Sequence, residues 1–286
     1  MIEYILSTGT LLATPILLAA IGELVGQRSG VLNLGIEGTI LMGAFMSYLA
    51  AVFLNNLWLG MVFGPLSGLM MGAIIAFLVI KLGMSQIVTG IGINILSIGL
   101  SSFLFIKCVT DVYGRVPLVG TVSSIPLIIL SIILVPLVWI LLFKTTFGLK
   151  IRGVGENPEA ADALGINVNK IRFMCVLLAT ALAGLAGSFL SLGITGSFTH
   201  FMSAARGFIV ISVVILSNWS PIKVLFGAFL FGIIYSIQSA FQAYGIPIPW
   251  QLMLTLPFVT CIIALVVASR RATAPSALMK PFIKKR

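Results

Sequence analysis

The chain has 286 residues, of which 59% are hydrophobic and only 8% charged, with a mean hydropathy of +1.19. Soluble domains carry roughly a quarter charged residues, so a surface this poor in charge excludes a water-soluble globule and requires lipid as the solvent. The net charge of +10 then reads as basic loops held on one side of a membrane and not as a nucleic-acid footprint.

Continuously apolar runs lie at about 5–22, 34–53, 60–80, 86–106, 124–143, 171–193, 207–217, 222–240 and 251–268. Most have the length that a hydrocarbon core of about 30 Å demands of a helix. They do not alternate, which argues against a β-barrel, whereas helices satisfy their own backbone in lipid. The predicted fold is all-α and polytopic, with about nine transmembrane helices in a single domain over 1–286. The first run follows Glu3 with no basic segment before it, so it is expected to remain as a helix and not to be a cleaved signal. The run at 207–217 is short and is expected to borrow residues from the Gly/Ser/Phe stretch before it.

Nine spans put the termini on opposite sides. With the C-terminus in the cytoplasm, 14 of the 17 basic residues fall inside, and only Lys107, Arg115 and Arg206 fall outside. Basic loops stay cytoplasmic, so the expected topology has the N-terminus outside and a basic cytoplasmic tail over 269–286. The longest polar excursion is the inner loop 144–170. Within it, Asn157 suits an N-cap, Pro158 the first helical position, Glu159 the positive helix end and Gly165 a terminator. The spacing predicts a helix of about two turns, which is too short to be stable alone and needs a cytoplasmic partner to lie against.

Chemistry-bearing residues are sparse. The single histidine, His200, lies in an outer loop, and Cys108, Cys175 and Cys261 stand singly. We therefore expect no catalytic residues, no metal site and no cofactor in this chain; a Gly-rich phosphate loop is also missing from it. Two acids lie where acids are costly: Glu23 at the end of the first span and Glu37 just inside the second. An ionisable group at membrane depth marks a candidate functional site; the competing reading is that both cap helix ends or pair with Arg28. The string Leu32-Asn33-Leu34-Gly35-Ile36-Glu37-Gly38 returns as Leu190-Ser191-Leu192-Gly193-Ile194-Thr195-Gly196. The first is placed inside and the second outside, as in two inverted-topology halves, where Gly-interrupted segments line a transport path. Candidate lining residues are Asn33, Glu37, Phe198 and Phe201, with Asn94 in the middle of the fourth span. The alternative for the same residues is that the amides tie helices together and the aromatics pack at the outer interface.

The segments Arg28–Gly38 and Gly153–Ile166, with Asn218-Trp219-Ser220-Pro221, resemble the permeases of sugar, nucleoside and branched-chain amino-acid ABC importers. The resemblance covers nearly the whole chain. It implies that Gly155, Glu156, Asn157, Pro158, Glu159, Ala160, Ala161 and Gly165 form the coupling segment that docks on a separate ABC ATPase subunit, where ATP and Mg are bound. The Asn-Leu-Gly-Ile-Glu-Gly version is most similar to nucleoside-type permeases, which work with a basic-membrane-protein-type lipoprotein receptor. It further implies a multi-pass protein of the prokaryotic cytoplasmic membrane and, for want of an extra N-terminal span, a heterodimer with a longer second permease. Simple sugars and flavin-type vitamins are the alternative solutes. An ion-coupled secondary transporter is the alternative class, and it would need more acids near midspan and no docking helix.

Overall fold

In the computed structural model, which describes residues 2–244, 249–269 and 273–282, the apolar runs become helices. They are α1 (Ile2–Arg28), α2 (Ile36–Leu54), α3 (Leu57–Ala76), α4 (Gln86–Phe105), α5 (Ile125–Lys144), α6 (Thr146–Glu156), α7 (Pro158–Ala163), α8 (Val168–Ser188), α9 (Arg206–Leu216), α10 (Pro221–Ala243) and α11 (Trp250–Ser269). Helices α3, α4 and α8 continue into π-helical stretches at Phe77–Lys81, Ile106–Thr110 and Phe189–Thr195. Among the described residues no strand occurs. The fold is all-α and polytopic.

Helix α1 is apolar on every side, and Ile16 to Ile21, Leu24 and Val25 are buried. A helix of that kind belongs in the interior of a bundle. It packs on α8 and α10, while α2, α3 and α8 form a second tight group. The backbones of that group meet directly: a side chain at Gly43, Gly64, Gly68 or Gly184 would run into the neighbouring helix, the small-residue packing that helices use in lipid. Ser47 and Ser188 share a hydrogen bond of 2.6 Å across the same crossing. Helix α5 buries only a stripe, Leu127, Ser131, Val135, Val138 and Leu142. Its remaining face, like Met70, Val88, Ile95, Phe226 and Val267 elsewhere, is apolar and exposed, which suits acyl chains.

Seven helices are long and apolar enough to cross a membrane, and two shorter apolar helices, Arg206–Leu216 and Gln251–Val267, accompany them among the described residues. Helix α9 corrects the expectation for its region. It starts at Arg206 and borrows nothing, because the residues before it turn: Phe201, Ala204 and Ala205 all have positive φ, at 57°, 48° and 59°. At 1.5 Å per residue its eleven residues reach about 16 Å, half a hydrocarbon core.

Arg28, Lys144, Arg152, Arg172 and Lys280 gather at one end of the bundle, around Phe143, Trp139 and the start of α8. Lys107, paired with Asp111 at 3.0 Å, and Arg115 lie at the other end. Arg206, expected on the same side as these two, is the first residue of α9. Its guanidinium sits over the Tyr235 ring at 5.0 Å and donates to the carbonyls of Met202 and Ser203.

Helix α6 was not anticipated within the polar loop. Thr145 caps it by accepting from Gly148 N at 3.0 Å. Gly148, Ile151, Val154 and Gly155 form its buried stripe.

Candidate functional site

The chain leaves α1 at Arg28 and turns back into the bundle before α2 begins. Backbone groups in such a re-entrant stretch have no helical partner, so side chains must supply them. Leu32 N donates to Gln86 Oε1 at 2.8 Å, Asn33 N to Glu23 Oε1 at 3.1 Å and Gly35 N to Asn33 Oδ1 at 2.9 Å. Asn94 closes the turn from α4: its Nδ2 donates to Leu34 O at 2.9 Å and its Oδ1 accepts from Gly38 N at 2.8 Å. Glu23 is fully buried and also accepts from Gln27 Nε2 at 3.0 Å. Within this turn Glu23 Oε2 and Asn33 Nδ2 are buried without a protein partner.

Glu37 sits in the first turn of α2, 9% exposed. Its two carboxylate oxygens accept from Ala205 N at 2.7 Å and Gly207 N at 2.6 Å. These are free N–H groups at the start of α9, where a negative charge also complements the helix dipole. The approach requires glycine at 207, since a Cβ there would lie 2.6 Å from the Glu37 backbone. Holding Ala204 and Ala205 in the left-handed region costs about 1–3 kcal/mol each, so the clamp must outweigh that strain.

The far end of α9 is held by the same hairpin. Trp219, at φ 51°, donates its indole N–H to Gln27 Oε1 at 2.8 Å. Its carbonyl accepts from Arg28 Nε at 3.1 Å and Nη2 at 2.8 Å. A half-length helix is thus fastened at both ends to the α1–α2 hairpin.

Of the five candidate pathway residues, three are brought together: Asn33 and Asn94 bond the turn, and Glu37 just after it holds the start of α9. Phe198 is not with them. It is 1% exposed and packs on Phe45 and Phe105 at centroid distances of 5.3 and 5.2 Å, with Tyr48 at 6.4 Å. Phe201 is 60% exposed. The two similar strings also differ in backbone, the first being a turn entering α2 and the second a π-helical stretch. Carbonyls of the π-helix and its C-cap accept from the loop ahead of α5: Val122 N to Leu192 O at 2.8 Å, Val119 N to Gly196 O at 3.1 Å and Ser124 Oγ to Gly193 O at 3.0 Å.

At the basic end the short helix α7 forms with the anticipated ends. Asn157 Oδ1 accepts from Ala160 N at 3.0 Å, Pro158 is the first helical residue, and Gly165 takes φ 80°. Ala161 faces inward at 4% exposure, whereas Glu159, Ala160 and Leu164 face out, Leu164 at 81%. Gly155 lies against the Arg28 carbonyl with no room for a side chain, so the segment leading into α7 rests directly on the end of α1. Gln27 and Gly207 escaped the sequence reading, and the roles of Arg28 and Trp219 in holding α9 were not anticipated, because their partners lie far away in the chain. The one available signal was an apolar run of half-span length beginning Arg206-Gly207.

Residues 5–265 match the model of a family described as branched-chain amino acid transport system / permease component. Permease protein TsgC13 of Haloferax volcanii, provisionally named for glucose ABC transport, is 33% identical over 94% of this chain and 94% of its own length. The guanosine ABC transporter permease protein NupQ of Bacillus subtilis is 33% identical, over 95% of this chain and 94% of its own. The nucleoside ABC transporter permease protein NupC of Lactococcus lactis subsp. cremoris is 33% identical, over 99% and 98%.

Proposed function

This chain belongs to the branched-chain amino-acid transport permease family and is the membrane permease of an ABC importer, and we propose that it carries nucleosides into the cytoplasm. The names of NupQ and NupC support the solute, together with the Asn33–Gly38 string. The name of TsgC13 favours a simple sugar as the second reading.

The observation that carries the coupling assignment is the seating of Gly155 on the carbonyl of Arg28. It gives a short mechanical line from α7, through the end of α1, to the turn that holds α9. A separate ATPase subunit docks on α7 and holds the ATP and Mg. Its closure pushes the segment 155–158 against Arg28, and the hairpin passes the displacement to α9 through Trp219 at one end and Glu37 at the other. Asn33 and Glu37 lie beside the solute path, where the unpartnered Asn33 amide and Glu23 oxygen offer hydrogen bonds to a polar solute or to water. Asn94 backs the turn from behind. Phe198 belongs to the aromatic seal of the closed outer end, and Phe201 projects beside it.

The basic end faces the cytoplasm under this reading, with the N-terminus outside. The basic residues at the opposite end, Lys107 and Arg115, are few against this cluster, the bias that basic cytoplasmic loops produce. A solute-binding lipoprotein delivers solute to the outer end, and a second, longer permease completes the pore.

Uptake of labelled guanosine in cells that depend on this importer tests the solute. Excess unlabelled cytidine or adenosine is expected to compete and excess glucose is not. Competition by glucose alone would replace the nucleoside reading with the sugar one.

A further inference from the structure

Residues 273–282 return across the basic end of the bundle and are tied to it at several points. Thr273 N and Oγ1 donate to Asn218 Oδ1 at 2.9 and 3.2 Å. Ser276 N and Oγ donate to Glu156 Oε2 at 3.2 and 3.0 Å. Ala277 N donates to Gly155 O at 2.9 Å, Met279 N to Gly30 O at 3.2 Å, and Arg172 Nη1 to Lys280 O at 3.0 Å. Pro275 and Ala277 are buried, and Met279 is held at φ 64°. Chain ends stay ordered only where they are fastened, and this one is fastened to the residues that lead into α7.

The two pieces enclose a cleft of about 420 Å³, with Glu156, Pro158 and Glu159 on one wall and Lys280, Pro281 and Phe282 on the other. Phe282 is half-buried and also borders the concavities on either side, one beside Asn167 and one beside Gln86. The cleft opens on the face that α7 presents. One wall carries the two acids Glu156 and Glu159, and the other carries Lys280 and ends in the Phe282 ring, so the acids outnumber the cation and leave room for a basic side chain flanked by apolar surface.

We propose that the ATPase subunit docks on a two-part face, α7 together with Ser276–Phe282, and places a basic side chain in the cleft between them. The inference rests on the reading of α7 as the coupling helix. A partner seated on α7 meets the segment at the same time, because Ser276 and Ala277 are bonded to Glu156 and Gly155. The segment also reaches Gly30, so the docked subunit grips the α1–α2 hairpin through it as well as through Gly155.

Photo-cross-linking in the assembled importer separates the two assignments. Benzoylphenylalanine is placed at Glu159 in one preparation and at Lys280 in another, both exposed positions, and the cross-linked partner is identified by its tag. Both are expected to capture the ATPase subunit. Capture from Glu159 but not Lys280 would overturn the two-part face and leave the coupling helix standing. Capture from neither would remove the coupling-helix reading and this proposal with it. Capture from Lys280 alone, or of another subunit from that position, would also overturn it.

Phe282→Asp is expected to lower retention of the ATPase subunit about tenfold, the scale of a lost interface anchor, with Phe282→Leu restoring most of it. Thermal unfolding of the isolated permease serves as the folding control and is expected to be unchanged in both. Full retention in Phe282→Asp would contradict the proposal.

Discussion

Replacing Glu37 by alanine removes the acceptor from two N–H groups, the part-buried one of Ala205 and the buried one of Gly207, which it holds at 2.7 and 2.6 Å. A hydrogen bond to a charged group contributes about 1.5–3 kcal/mol, so the loss of both costs about 3–6 kcal/mol. Release of Ala204 and Ala205 from the left-handed region returns part of this, about 1–3 kcal/mol for each residue that relaxes. With one of the two residues relaxing, the net cost is about 2–3 kcal/mol, borne locally at the start of α9. Glu37→Gln retains one acceptor oxygen and turns an amine toward a donor, so it falls between wild type and alanine. Thermal unfolding of the purified permease in detergent reads the ranking, wild type above Gln above Ala. A thiol introduced at Thr199, in the exposed loop ahead of α9, reads the local loosening as faster modification in Glu37→Ala. If Glu37→Ala unfolded with the wild-type midpoint and Thr199→Cys reacted no faster, the clamp would not be what holds α9.

Asn94→Ala breaks the bonds to Leu34 O and Gly38 N and is expected to cost about 1–3 kcal/mol, seen as a lowered unfolding midpoint with solute preference unchanged. Phe198→Ala empties the centre of the aromatic cluster and is expected to cost about 3–5 kcal/mol in the same assay. Gly155→Ala forces a methyl against the Arg28 carbonyl and is expected to lower solute-stimulated ATP hydrolysis more than it lowers stability. For topology, an impermeant thiol reagent added outside is expected to label Leu118→Cys and not Leu164→Cys in a background without native cysteines; both positions are 81% exposed. The opposite labelling would invert the orientation.

The ends of α7 were readable because every signal is local: Asn157, Pro158 and Gly165 act within their own turn. Helix α6 was not readable, because Gly148, Gly153 and Gly155 lower its helical preference and docking on α1, α5 and α8 compensates. The start of α9 at Arg206 was hidden for a different reason. Its capping carboxylate, Glu37, lies in another helix, and capping rules see only the residues just before a helix. Helix α9 was therefore assigned extra residues to reach a full span. Asn94 showed the opposite pattern. An amide at midspan announced that it needs partners, but those partners were Leu34 O and Gly38 N, backbone groups left free only by a turn that the apolar run through 34–53 concealed. The tail bonds to Glu156 and Gly155 have no local signature at all.

The central claim is that nucleotide hydrolysis by a docked subunit, delivered through α7, drives solute through this chain. Proteoliposomes containing the permease with its ATPase subunit and receptor test it directly, using labelled nucleoside uptake with ATP on the ATPase side. Uptake is expected to require ATP. It should also disappear in a Glu156→Lys, Glu159→Lys double variant that still inserts into the membrane. Uptake driven by an ion gradient without the ATPase subunit, or normal uptake and normal ATPase stimulation in the double variant, would contradict the account.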